Sequence, residues 1–98
     1  MGWTIILENE NREEIESLSD SFISSVLFDS NSRELFVLLK YLDPYGDTVF
    51  NHLQMNDLIS DLIVLKKYDP INSSIDRIIS LAKVCQETIH SYLLFYGD

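Results

Sequence analysis

Ser73-Ser74-Ile75-Asp76-Arg77-Ile78-Ile79-Ser80-Leu81-Ala82-Lys83-Val84-Cys85-Gln86-Glu87-Thr88-Ile89-His90-Ser91-Tyr92-Leu93-Leu94-Phe95 is the stretch on which the fold turns. Ile75, Ile78, Ile79, Ala82, Cys85, Ile89, Tyr92 and Leu93 recur at helical spacing, so the stretch reads as one amphipathic helix. Ser73 or Ser74 supplies its cap, and Gly97 is available as its stop. A helix of about 22 residues rises on the order of 33 Å and would span the whole domain. The rest of the chain is then expected to pack along it.

Upstream, Pro70 ends a preceding helix that Asn56 can cap. Leu58, Ile59, Leu62, Ile63 and Leu65 form its apolar stripe, and Lys66 and Lys67 suit its C-terminus. Asp57 sits in its first turn, and Asp61 follows four residues on along the same face.

Before that helix comes a corner, Asp43-Pro44-Tyr45-Gly46-Asp47-Thr48-Val49-Phe50-Asn51. Its first four residues fit a type I turn. Asp43 and Asp47 either hold this turn through its backbone N–H groups or, with Tyr45, face a partner. We assign both carboxylates to the turn and Tyr45 to the outside. Thr48-Val49-Phe50 is expected to be a short extended or 3₁₀ piece that brings Val49 or Phe50 into the core.

Further back, Asn31 and Glu34 resemble a capping box for a helix over Arg33 to Leu42. Its run Leu35-Phe36-Val37-Leu38-Leu39 is apolar all round, which also admits a buried strand. Ile15, Leu18, Phe22, Ile23, Val26 and Leu27 predict a first helix of about 17 residues. Asn11 would cap it, Glu13 and Glu14 lie in its first turn, and Glu16 and Asp20 lie on its outer face. Trp3 to Leu7 is rich in β-formers and reads as a short strand or an extended arm with no partner. The expectation is one mainly α domain over residues 1–98, with about four helices around one core and at most one short N-terminal strand.

The composition is that of a globular chain, 46% hydrophobic. No apolar run reaches the ~18 residues of a membrane span, and no secretory leader is recognisable. The single cysteine, Cys85, fits a reducing cytoplasm and reads as a buried apolar residue. Sixteen acidic residues against seven basic give a net charge of −9. That balance argues against direct nucleic-acid binding and for a basic partner. There is no glycine-rich phosphate loop, nucleophile constellation or metal quartet, and His52 and His90 have no companion at ligand spacing. Catalytic, cofactor and metal residues are therefore not expected. The carboxylate pairs Asp43/Asp47 and Asp57/Asp61 would need a deep cleft for acid–base work.

Leu42-Asp43-Pro44-Tyr45-Gly46-Asp47-Thr48-Val49-Phe50-Asn51-His52-Leu53-Gln54 resembles the signature of a family of small acidic bacterial proteins. The ending Ile89-His90-Ser91-Tyr92-Leu93-Leu94-Phe95-Tyr96-Gly97-Asp98 is similar to that family's C-terminus. The resemblance covers Leu35 to Asp98. Family members often carry Pro at the position of Asn56, which agrees with a helix start there. The group is similar to immunity proteins encoded beside toxins, including those of contact-dependent growth inhibition. The resemblance thus implies a cytoplasmic inhibitor of a cognate toxin, and the charge favours a basic nuclease. An adaptor or regulator of another bacterial partner is the alternative. Acidity and exposure nominate Glu13, Glu14, Glu16, Asp20, Asp43, Tyr45, Asp47, Asp57 and Asp61 as partner contacts.

Overall fold

The computed structural model describes residues 2–97. Along the chain come β1 (Trp3–Glu8), β2 (Glu14–Ser17), a single-turn helix α1 (Ser30–Arg33), β3 (Asp47–Asn51), α2 (Met55–Tyr68), α3 (Ser74–Glu87) and β4 (Tyr92–Gly97). The strands form one antiparallel sheet in the order β2-β1-β4-β3. The mainly α, four-helix expectation is therefore wrong. Two helices of 14 residues pack on one face of a four-stranded sheet.

The deciding stretch changes conformation partway along. Its helix stops at Glu87, Thr88 is extended, and His90 is left-handed at φ 62°. The buried Ser91 hydroxyl lies 2.6 Å from the Thr88 carbonyl and 2.9 Å from that of Cys85, so it serves carbonyls a longer helix would have bonded itself. Tyr92 to Tyr96 then forms an unbroken aromatic and apolar strand, the pattern of a strand with side chains occupied on both faces. β4 is the partner that β1 lacked in the sequence, paired from Trp3↔Gly97 to Glu8↔Tyr92.

The expected first helix is absent. Asn9 accepts the N–H groups of Asn11 and Glu13 at 2.9 and 3.0 Å and turns the chain into a hairpin, with Arg12 at φ 67°. Five serines between Ser17 and Ser25 weaken any helical preference there. Leu18 and Phe22 still reach the core, through irregular backbone bonded to β1 at Ile5 and Trp3.

The expected helix over Arg33 to Leu42 shrinks to α1 and a 3₁₀ turn at Leu39–Tyr41. Asp61 explains why. It is 5% exposed on the inner side of α2, and its carboxylate accepts the N–H groups of Val37, Leu38 and Leu39 at 3.0, 2.7 and 3.0 Å. Those amides are thereby held away from helical partners. Phe36, Leu38 and Leu39 drop into the core, while Leu35 and Val37 point outward.

α2 matches the expected third helix in its apolar stripe and its basic end, but it begins at Met55, so Asn56 lies inside its first turn and does not cap it. Asn51 caps the 3₁₀ turn that leads into it through a capping box with Gln54. Met55, Leu58, Leu62 and Leu65 of α2 and Ile75, Ile78, Ala82 and Cys85 of α3 face the sheet residues Trp3, Ile5, Leu7, Phe50, Leu93 and Phe95 in one core. The corner is bolted to both central strands. Trp3 Nε1 donates to the Asp43 carbonyl at 3.0 Å, and the Gly97 N–H donates to that of Gly46 at 2.8 Å. A Cβ at Gly97 would collide with Asp43 and Pro44 backbone, so the closeness of the corner requires glycine there.

Candidate functional site

Antiparallel partners share a face, so the register assigns each sheet residue to one side. Trp3, Ile5, Leu7, Phe50, Leu93 and Phe95 face the helices. The opposite face is ordered in three rows. Thr4, Tyr96 and Asp47 form the first; Ser17, Ile6, Leu94 and Val49 the second; Glu14, Glu8, Tyr92 and Asn51 the third. No described helix packs on these rows. Val49 is 50% exposed, and Ile6, Tyr92 and Tyr96 are half-buried. Leu94 is 1% exposed yet stands outside the core cluster, sealed among its neighbours on this second face.

The hairpin turn reaches over one end of this face. Arg12 bonds Glu8 at 3.0 Å, with Glu8 largely buried and Arg12 largely exposed. The Glu8 bond and charge, and then Tyr96, raise the guanidinium pKa, so Arg12 is a permanent cation here. Glu10, Arg12, Val49 and Tyr92 line a shallow depression of about 240 Å³.

Charge is segregated between the layers. The sheet and its hairpin carry Glu8, Glu10, Glu13, Glu14, Glu16 and Asp47 against Arg12. Arg33, Lys40, Lys66, Lys67, Arg77 and Lys83 all lie on α1, the 3₁₀ turn, α2 and α3. Lys66 pairs with Asp76 at 2.8 Å, which balances charge within the helical layer. Six acids against one base give the sheet and hairpin a net charge of −5, more than half of the −9 of the chain, while the basic residues of the helical layer are offset by Asp29, Glu34, Asp57, Asp61, Asp69, Asp76 and Glu87.

The nominated residues fall into different environments. Glu13 and Glu14 stand on the hairpin beside the open face, on a turn and a strand rather than a helix. Glu16 pairs with Leu7 and so points to the helix side of the edge strand. Asp20 is exposed in the following loop, 3.9 Å from Arg77. Asp43 accepts the Tyr45 N–H at 2.9 Å, as a turn residue should. Asp47 is exposed at the start of β3, where it pairs with Tyr96, and its side chain makes no hydrogen bond among the described residues, so it does not hold the turn as expected. Tyr45 reaches outward at 76% exposure. Asp57 is exposed in the first turn of α2, far in role from buried Asp61. Asp61 holds backbone and is not presented to a partner. As residues of this face, Tyr96, Glu8, Glu10 and Arg12 escaped the sequence reading, Val49 was an alternative to Phe50 for the core, and Tyr92 was placed on a helix. Five apolar or aromatic residues in succession at Tyr92 to Tyr96 were the signal that could have revealed Tyr92 and Tyr96 as strand residues.

Ser91 Oγ also lies 3.3 Å from Cys85 Sγ, and burial pushes the Cys85 thiol up while that bond opposes the shift. A buried thiol with a raised pKa is a poor nucleophile. The rings of His52 and His90 meet edge to face with centroids 6.1 Å apart, a proximity hidden by their sequence separation. Among the described residues no group of three or more His, Cys, Asp or Glu is placed to hold a metal ion, and no helix is long and apolar enough to cross a membrane. Compared with known proteins, the chain matches no family model, no curated protein and no solved structure.

Proposed function

We propose that this protein is an immunity-type inhibitor that binds a cognate bacterial toxin in the cytoplasm, with a basic nuclease as the class its charge suits. It would act by occluding the toxin's active site or substrate surface, with no chemistry of its own. The observation that carries this reading is the segregation of acidic residues onto a sheet layer with an open, half-apolar face. An acidic field over a low-dielectric surface steers a basic partner, and exposed aromatics give it something to bury. The resemblance of Leu42 to Gln54 and of the C-terminal stretch to immunity-like proteins points the same way. The test is co-expression with the product of the neighbouring reading frame. Growth should be rescued from that product and from no unrelated toxin. Loss of rescue by a folded, abundant protein would remove the immunity reading and leave the adaptor reading in its place.

A further inference from the structure

We propose that the open face of the sheet is the docking surface for the basic partner, and that it takes one arginine or lysine side chain into the depression between Arg12, Val49 and Tyr92. This rests on the binding reading above and adds the surface and the chemistry of its occupant. The first support is the exposed side chain of Val49 and the half-buried Ile6, which flank the already sealed Leu94 across three strands with no described helix over them. A sheet face left half-apolar in this way gains from being covered.

The second support is what surrounds the row. Tyr92 and Tyr96 stand two residues either side of Leu94 on the same face, offering ring surfaces on which a cation can rest. Arg12 is neutralised by its pair with Glu8, so Glu10 is the carboxylate that the depression itself offers a visitor, while Glu14 and Asp47 lie on the edge strands of the face and Glu13 on the hairpin. The long stem of a basic side chain suits the apolar row, and its head suits the acidic margin. The depression, about 240 Å³, falls below the ~300 Å³ at which small-molecule pockets begin, and so fits one side chain of a partner better than a free ligand. A second copy of this chain would bring the same carboxylates together, so the occupant is a partner of opposite sign.

The probe is the purified product of the neighbouring reading frame, titrated against the full chain. Val49→Arg puts bulk and positive charge at an exposed point of the face and should weaken binding by about 30-fold or more. Ile63→Arg makes the same change at a similarly exposed site on α2 and should shift binding by less than about 3-fold. In methyl spectra of the wild-type complex, Ile6 and Val49 should move while Ile63 and Ile71 stay. These spectra decide the matter even if Val49→Arg folds poorly. Unmoved Ile6 and Val49 methyls in a formed complex overturn the surface and leave the binding reading standing. A wild-type chain that fails to bind overturns both. A free chain that is dimeric until Val49→Arg is made shows a self-interface and also overturns the inference.

Discussion

Within β4, neighbouring residues meet two different worlds. Leu93 and Phe95 lie under the helices, where Phe50 meets Phe95 edge to face at 5.7 Å and the core closes around them. Leu94 points the other way and is equally shielded, yet a single layer of side chains does the shielding. Burial alone therefore does not distinguish a core residue from one beneath a surface. The layers around it do, because a cavity under two packed layers stays empty while one under a single layer can collapse or admit water.

The comparison is tested most sharply by removing both side chains in turn. Phe95→Ala should cost about 3–5 kcal/mol, whereas Leu94→Ala should cost about 2 kcal/mol, the low end for a buried leucine, since its site can relax. Urea denaturation midpoints measure both, and equal losses would erase the distinction between the faces. On the covered side, Asp61→Ala leaves the amides of Val37, Leu38 and Leu39 without their acceptor and should cost about 3 kcal/mol. Asp61→Asn keeps one acceptor oxygen and should cost clearly less by the same assay.

Smaller effects separate the carboxylates of the corner, which leads into the edge of the open face. Asp43→Ala should lower stability by about 1 kcal/mol through loss of its turn bond. Asp47→Ala should stay within about 0.5 kcal/mol, as an exposed substitution does. Thermal melts of the two variants give the comparison directly.

The smallest effect concerns Cys85, on the covered side. Its thiol pKa is raised in the folded state, so the folded protein keeps this proton to higher pH than the unfolded chain. The resulting stability is full below the unfolded thiol pKa of ~8.5 and is lost as pH rises through the folded value. Wild-type stability should fall more between neutral and strongly alkaline pH than that of Cys85→Ala. Identical pH profiles would show that burial of the thiol has no energetic consequence.

α2 was legible because its stripe, its charged ends and Pro70 all agree. α3 was legible only as far as Glu87. Beyond it, Ile89, Tyr92 and Leu93 continue the helical spacing by coincidence, and the turn at Thr88 to Ser91 carries no glycine or proline to announce it. Reading β4 as helix then deprived β1 of its neighbour, so two errors were one. The Asp61 contact spans more than twenty residues of sequence, and no local pattern encodes it. Of the candidate surface, the acidic hairpin residues were visible as charges, but their gathering on one face depended on strand register. Tyr45 and Asp43 behaved as their turn chemistry suggests.

The pairing of β1 with β4 also bears on how the chain comes to be folded. The two central strands come from opposite ends of the described chain, so their alignment closes a loop containing nearly everything else. Local units, the β1–β2 hairpin and the α2–α3 pair, can form while the chain is still growing, but the middle of the sheet has to wait. Such non-local closure slows folding and leaves the inward side of β1 unprotected meanwhile. A newly made molecule would thus pass through a stage in which Trp3, Ile5 and Leu7 are open to intermolecular association. Its yield in the cell would depend on how quickly the last strand arrives.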